Sequence, residues 1–296
     1  MNKLVVGDKV AIVAPCGQIG EISKIEQGLN YLRQLGFQPV LGKHIFAVNR
    51  YMAGTDEQRA EDINIAFCDP QIKALFCVRA AAGGSRILPY IDYENAQKNP
   101  KPVIGFCDNV ALQLALYQKS GIHSINGFNL TYDFRDGVLD PLISETLQKN
   151  LKMEKMTIHS GDTIHGGTAE GHLIVSNLSV LLRLAGTEYF PDLSGKILLI
   201  EDVHERIHKI DLMLQQLKQQ PDFKNLKGII FGQFTDCTGD TEDGTVKDCI
   251  NDFLQGVDLP TVNNFNFGHT KSRYVLPLGA DVCLCADTAT LEIIRR

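Results

Sequence analysis

A cysteine at position 107 stands where a strand is expected to give way to a helix. The stretch Pro102-Val-Ile-Gly-Phe-Cys-Asp-Asn-Val-Ala-Leu-Gln-Leu-Ala-Leu-Tyr117 reads as a buried strand over 103–106, a sharp turn at Cys107-Asp108 and a helix from about Asn109. Ala111, Leu112, Ala115 and Leu116 recur on one helical face, and Gly121 follows where a helix would stop. A thiol on such a turn is held clear of the sheet, which is the logic of a nucleophile elbow. The positive end of the helix also favours a thiolate. The same pattern suits a small buried cysteine at a strand end.

Two other groups have the type to serve such a nucleophile. Glu201 follows the apolar run Ile197-Leu-Leu-Ile200, so it is expected at the mouth of a buried strand. A carboxylate there can orient a histidine, or simply cap a helix. His269 lies in Asn264-Phe-Asn-Phe-Gly-His-Thr270, a loop setting in which an imidazole can act as general base. Arg79 and Arg86 bracket the small-residue loop Arg79-Ala-Ala-Ala-Gly-Gly-Ser-Arg86, and either can hold a carboxylate by bidentate pairing. Amides of that loop, from Ala80 and Ala81, together with that of Asp108, can form an oxyanion hole. The alternative is that small residues let a helix pack close to the sheet. His204 and His208 are four residues apart but lack the His-Glu-x-x-His pattern, and Arg206 and Lys209 crowd them with positive charge.

Alternating strands and helices must position these groups. Lys9 to Pro15 is an apolar run expected as a buried first strand. A helix is expected from Glu21 to Leu35, stopped by Gly36. Thr55-Asp-Glu-Gln58 has capping-box spacing and opens another helix to about Phe67. Ala74–Val78 is the next strand. This alternation implies an α/β domain with a parallel sheet and sites beyond the strands' carboxyl ends, where Cys16, Arg79 and Cys107 all fall. Regularity weakens between about Lys149 and Thr168. We therefore expect a first domain over 1–150, a linker over 151–168 and a second domain over 169–296. That second part offers a helix over 176–185, a strand from Lys196 to Ile200 and a helix with Ile210, Met213, Leu214 and Leu217 on one face. Further on come a strand over Gly228–Gly232, a helix over Val246–Leu254 and a β-rich tail from Val275 to Ile294.

With 296 residues, 44% of them hydrophobic and 22% charged, the chain has the make-up of an ordinary globular protein of one large or two ordinary domains. A net charge of −6 without a basic run argues against a nucleic-acid surface. No apolar run approaches the ~18 residues of a membrane span, and the first residues lack the features of a secretory signal. A cytoplasmic location is expected. The eight cysteines are scattered, with no Cys-x-x-Cys pair, and read as free thiols. Cys107 is expected to be the most reactive, with Cys16 its closest rival. Cys77, Cys283 and Cys285 lie in apolar runs, and Cys68 and Cys249 in helical patterns, where burial would quieten them.

Taken together these pieces resemble the LD-carboxypeptidase family of serine peptidases, which includes microcin C7 self-immunity proteins. The similarity spans nearly the whole chain. It rests on markers such as Val10-Ala-Ile-Val-Ala-Pro15, Ala53-Gly-Thr-Asp-Glu-Gln-Arg-Ala60, Lys101 to Asp108, Leu199-Ile-Glu-Asp-Val203, Gly232-Gln-Phe-Thr-Asp236 and Phe267-Gly-His269. The resemblance implies a flavodoxin- or Rossmann-like parallel-sheet domain bearing the nucleophile and a smaller C-terminal α/β domain bearing a glutamate and a histidine. It assigns Cys107 as nucleophile, Glu201 as orienting acid and His269 as base, with Arg79, Ala80, Ala81, Asp108 and Asn177 around the oxyanion and substrate. It implies removal of a terminal D-alanine from a muropeptide, after diaminopimelate or lysine, during cell-wall recycling. It also implies a homodimer that uses neither metal nor cofactor.

The departures from the family pattern cluster around one site. Gly105-Phe-Cys-Asp108 stands for Gly-Tyr-Ser-Asp, Arg79-Ala-Ala-Ala-Gly83 for Arg-Gly-Gly-Tyr-Gly, Val175-Ser-Asn177 for Gly-Gly-Asn, and Asn126-Gly-Phe128 for His-Gly-Pro. Cysteine attacks carbonyls and pairs well with histidine. Three other readings compete. One is a weakened family member that binds a peptide or muropeptide, and another is a microcin-immunity-like hydrolase. The third is a glutamine-amidotransferase-like enzyme, whose paired His-x-Glu the chain lacks.

Overall fold

In the computed structural model, residues 3–19, 22–134 and 137–295 are described, and the chain divides into two compact units. The first comprises Met1–Glu154 and Tyr274–Leu278, the second Lys155–Arg273 and Gly279–Arg296.

The first unit is built on the strands β1 (Lys9–Val13), β2 (Gln38–Leu41), β3 (Ile72–Cys77), β4 (Val103–Gly105) and β5 (Ser124–Asn126). All are parallel, and their order in space is 2-1-3-4-5, the flavodoxin-like winding. The segment Leu276–Leu278 closes the β5 edge in antiparallel register. The helices are α1 (Ile22–Gln34), α2 (Asp56–Cys68), α3 (Tyr93–Lys98), α4 (Val110–Ser120) and α5 (Pro141–Leu151). Glu21, expected to open α1, lies outside the described residues. The Thr55 capping box forms as its spacing requires: Gln58 N donates to Thr55 Oγ1, and Thr55 N to Gln58 Oε1. At the far end of α2 the buried Lys101 ammonium donates to the carbonyls of Ala66, Phe67 and Asp69, so a cation closes the helix's negative end just before β4. Expected as amphipathic, α4 is instead buried nearly all round, and Gly121 ends it at φ +65°.

The second unit carries an eight-stranded mixed sheet. Its strands are β6 (Met156–His159), β7 (Asp162–His165), β8 (Thr168–Asn177), β9 (Lys196–Val203), β10 (Gly228–Thr235) and β11 (Thr261–Asn263). After Leu276–Leu278, which is β12 in chain order, come β13 (Asp281–Cys285) and β14 (Thr290–Arg295). The order is 6-14-13-8-9-10-11-7, with β8 to β11 parallel and the flanking strands antiparallel. The stretch 151–168, expected as a linker, therefore supplies two edge strands of this sheet. Strand pairing also overrides the helix expected over 176–185. Ser176 and Asn177 finish β8 against Ile200 and Glu201, and the helix α6 is confined to Leu178–Arg183. The helices α7 (Ile207–Lys218) and α8 (Val246–Phe253) complete the unit, with α7 packed against α6 and α8. Ile210, Leu214 and Leu217 are buried on α7 as expected, whereas Met213 is half-buried. Among the described residues no helix is long and apolar enough to cross a membrane.

Candidate active site

Strand β4 ends in extended backbone at Phe106 (φ −151°), and the chain then folds back on itself at Cys107 with φ +61°. A non-glycine residue in this left-handed region costs ~1–3 kcal/mol and persists only where its surroundings impose it. The surroundings here are tight. A Cβ added at Gly105 would come 2.9 Å from the Asn109 Cβ and 3.1 Å from the Cys77 sulfur, so glycine is needed where the strand passes beneath the turn. A short 3₁₀ turn over Cys107–Asn109 leads into α4, and Cys107 is half-buried while Asp108 and Asn109 are buried.

The two residues after Cys107 fasten the turn to the neighbouring loops. Asp108 Oδ2 accepts from the Gly84 amide at 2.6 Å. Asn109 Nδ2 donates to Asn129 Oδ1 (2.9 Å), Phe106 O (3.2 Å) and Arg79 O (3.3 Å). Asn129 in turn brackets Phe106, accepting from its amide and donating to its carbonyl. The small-residue loop is held from the other side by the Gly17 amide, which donates to Ala80 O. Ala81 adopts φ +96°, so a methyl group is carried at a position where glycine is the easier choice. Among the described residues the Ala81 amide has no hydrogen-bond acceptor.

The loop's two arginines differ in what they do. Arg86 forms a bidentate pair with Asp56, at 3.0 and 2.6 Å, and so holds the loop to the start of α2 rather than awaiting a carboxylate. Arg79 is exposed and donates to Gln18 O. A third arginine, buried Arg59, donates to the carbonyls of Pro15 and Gly83 and pairs with Asp56. It fixes the ends of two loops at the carboxyl edge of the first sheet. It lies inside the marker Ala53–Ala60, and its burial was the property that the sequence did not disclose.

In the second unit, Glu201 is not at the mouth of its strand, because β9 runs on to Val203, and its side chain is fully buried. A β-bulge in β10 lies opposite it. The register runs from Phe231 against Ile200 directly to Phe234 against Asp202, leaving Gly232 and Gln233 over Glu201. That bulge admits the loop 264–269: the Gln233 amide donates to Phe267 O and its side chain to Phe265 O. A Cβ at Gly232 would sit 2.4 Å from Phe267 O, and one at Gly268 (φ +145°) 3.2 Å from Glu201 Oε2. With both positions clear, His269 Nδ1 comes to 2.9 Å from Glu201 Oε2. Burial pushes the Glu201 carboxyl above its ordinary range, opposed by the hydrogen bond and charge of His269. Asp202 is also raised by burial, but it accepts from the amide and hydroxyl of Ser179 and so caps α6. Asn177 lies beside Glu201 on β8, as its cross-strand partner.

Residues 10–127 match the LD-carboxypeptidase N-terminal domain and residues 170–284 its C-terminal domain. The putative carboxypeptidase slr1534 of Synechocystis sp. is 32% identical, with 97% of this chain and 95% of that protein covered. The chain belongs to the LD-carboxypeptidase family. A probable murein peptide carboxypeptidase of Bacillus subtilis is 29% identical over 97% of this chain and 92% of its own length. The structure of a microcin C7 self-immunity protein, MccF, in complex with glutamyl sulfamoyl guanosine has the same fold. Its TM-score is 0.88, with 24% identity and coverage of 99% of this chain and 98% of that one. As a family member the protein is a peptidase-class enzyme.

One departure from the family pattern falls inside the polar packing beneath the elbow. Asn126, where the family pattern has histidine, donates to Gln113 Oε1, and Gln113 donates to the Val103 and Ile125 carbonyls under the elbow. The thiols are also ordered differently from expectation. Cys16 is no exposed rival, since it is fully buried and burial raises it far above the ordinary range. Cys68 is exposed, and Cys283 and Cys285 alternate outward on β13 and are half-buried. Cys285 is the one lowered, by a hydrogen bond from Thr288. Among the described residues no cluster of three or more histidine, cysteine or acidic side chains is arranged to hold a metal, and His204 and His208 gather no third ligand.

Proposed function

We propose that the protein is a cysteine-nucleophile LD-carboxypeptidase that removes a terminal D-amino acid from a muropeptide. The observation that carries the reading is the half-buried His269 held at 2.9 Å by the fully buried Glu201. With Nδ1 committed to the carboxylate, Nε2 is the nitrogen that exchanges a proton with the nucleophile. Catalysis therefore requires His269 Nε2 to come within hydrogen-bond reach of Cys107 Sγ.

The steps follow from those roles. His269 takes the Cys107 proton, and the thiolate attacks the scissile carbonyl. The oxyanion that forms is held by amides of the Ala80-Ala81 loop and Asp108. The imidazolium then protonates the leaving amine, the C–N bond breaks, and a thioester remains on Cys107. Water, deprotonated by His269, attacks the thioester, releasing the shortened peptide's carboxylate and restoring the thiol. Arg79 is assigned to the substrate's terminal carboxylate, and Asn177 to a polar group of the peptide. We include in the reading a cytoplasmic homodimer acting in cell-wall recycling.

The test is incubation of the purified protein with tetrapeptide muropeptides bearing diaminopimelate or lysine at the third position, followed by mass spectrometry. Loss of one alanine, absent in Cys107→Ala, is the expected result. Binding without cleavage points to a peptide-binding family member, and full activity in Cys107→Ala defeats the nucleophile assignment. Light scattering of the same sample reads the oligomeric state.

A further inference from the structure

Cys16 lies in the loop three residues after β1, at the winding reversal of the first sheet, and no role follows for it from the proposed reaction. It is fully buried, yet its sulfhydryl is aimed at polar atoms: Asn109 Oδ1 at 3.1 Å and Asp108 Oδ2 at 3.7 Å. The closer contact is the start of a directional chain. A thiol donates one hydrogen, so Asn109 must present its oxygen to Cys16 and its NH₂ to the other side. On that side stand the Arg79 and Phe106 carbonyls and Asn129 Oδ1. Turned over, the Asn109 amide would set its oxygen against two carbonyls. Asn129, with its oxygen occupied by Asn109 and by the Phe106 amide, is fixed in turn, and its NH₂ meets the Phe106 carbonyl. Phe106 is the residue immediately before the strained Cys107, and Arg79 opens the loop carrying Ala80 and Ala81.

We infer that Cys16 is a positioning residue. Its sulfhydryl, through Asn109 and Asn129, sets the backbone around Cys107 and ties the Arg79–Ala81 loop to it. Burial and the nearby Asp108 charge keep the thiol protonated, as a donor must be. The Gly84 amide on Asp108 closes the loop's far end, and a Cβ at Gly84 would come 3.2 Å from the Cys16 sulfur. The inference rests on Cys107 being the nucleophile, and a readout that needs no substrate separates the two.

Cys16→Ala removes the donor, while Cys16→Ser restores one of similar size. For each folded variant, kcat, KM and the rate of Cys107 alkylation by limiting iodoacetamide are measured, with melting temperature as control. Cys16→Ala should lower kcat by about tenfold or more at unchanged KM, because small misplacements of reacting groups are costly. Its Cys107 alkylation rate should change in step. Cys16→Ser should keep both rates within about threefold of the parent, since a hydroxyl donates the same hydrogen bond. Asn129→Ser breaks the chain farther along and should reproduce the Cys16→Ala result. An unaltered alkylation rate in folded Cys16→Ala, or in Asn129→Ser should Cys16→Ala not fold, overturns the inference. So does a Cys16→Ser variant as slow as Cys16→Ala. If Cys107→Ala is itself fully active, the nucleophile assignment fails first, and the alkylation rates still report whether Cys16 shapes the elbow.

Discussion

The two halves of the candidate machinery are held in opposite ways. Beneath Cys107 the hydrogen-bond chain is neutral, with Cys16 donating to Asn109 and Asn109 to Asn129, while the Asp108 carboxylate and the Arg86–Asp56 pair hold the neighbouring loop. Around His269 the second unit uses a buried carboxylate, Glu201, whose Oε2 faces the imidazole and whose Oε1 has no hydrogen-bond partner among the described residues. A neutral lattice is indifferent to pH and fails when one member is removed. A buried charge is responsive to pH and is maintained at a cost in stability. The Cys107 side is thus held by a chain insensitive to pH, and the His269 side by a pair that responds to it.

The largest effects are expected on deleting each proposed reactive group. Cys107→Ala should abolish muropeptide turnover by more than about 10⁴-fold while leaving melting temperature near the parent's, because the half-buried thiol forms no hydrogen bond among the described residues. Glu201→Gln should lower kcat by about 10²–10⁴-fold, through loss of histidine orientation and imidazolium stabilisation. Yet it should unfold no earlier than the parent at neutral pH, since the amide is nearly isosteric and uncharged. Parent-like turnover in that variant would remove Glu201 from the mechanism.

The two units should also differ in how their stability depends on pH. Glu201 and Asp202 both have folded-state carboxyls raised by burial above ordinary values of 4.5 and 3.8. The folded state therefore binds more protons than the unfolded one over that interval. The associated stability is present below the ordinary values and is lost as pH rises through the raised folded ones. Melting temperature should accordingly fall as pH rises from that range, and less steeply in Glu201→Gln. Asn129→Ser, by contrast, should lose the same stability, about 1–3 kcal/mol, at pH 5 and at pH 8, because only neutral bonds are broken. A pH-dependent loss there would blur the distinction.

A smaller effect is expected at Gly268. Alanine there combines φ +145° with a Cβ 2.9 Å from Gln233 O, so Gly268→Ala should cost about 1–3 kcal/mol in urea unfolding and move His269 off Glu201. The smallest test concerns thiols. After Cys107, iodoacetamide should label Cys285 and exposed Cys68 before Cys16, Cys77 or Cys249, and peptide mapping reads the order.

The elbow was legible because it is local: apolar strand, Gly105, turn and helix follow one another within a dozen residues. The polar lattice beneath it was not. Cys16 and Asn109 are 93 positions apart, and no periodicity announces a hydrogen bond between them. Glu201 was visible at the end of an apolar run. Its full burial was not, because that depends on a bulge in the next strand, beyond α7, and on a loop that enters over Gly232. The edge strands β6 and β7 were missed for another reason. Met156-Thr-Ile-His159 does alternate, but a four-residue run after a charged stretch and before Ser160-Gly161 resembles a linker until β14 pairs with it. The pairing of Arg86 was hidden because its partner Asp56 belongs to a different element.

The segment Leu276–Leu278 bears on how this chain is made. It closes the first unit's sheet along β5, and next to it Val275 N donates to Thr146 Oγ1 while Val275 O accepts from Asn150. During synthesis β5 leaves the ribosome about 150 residues before its antiparallel neighbour. Until then the nascent chain displays Ser124–Asn126 as an open edge, able to accept another strand. The amino-terminal unit therefore cannot finish its sheet as a stand-alone product. Any truncation that ends before Leu276 leaves that edge unpaired, however well the first 154 residues fold.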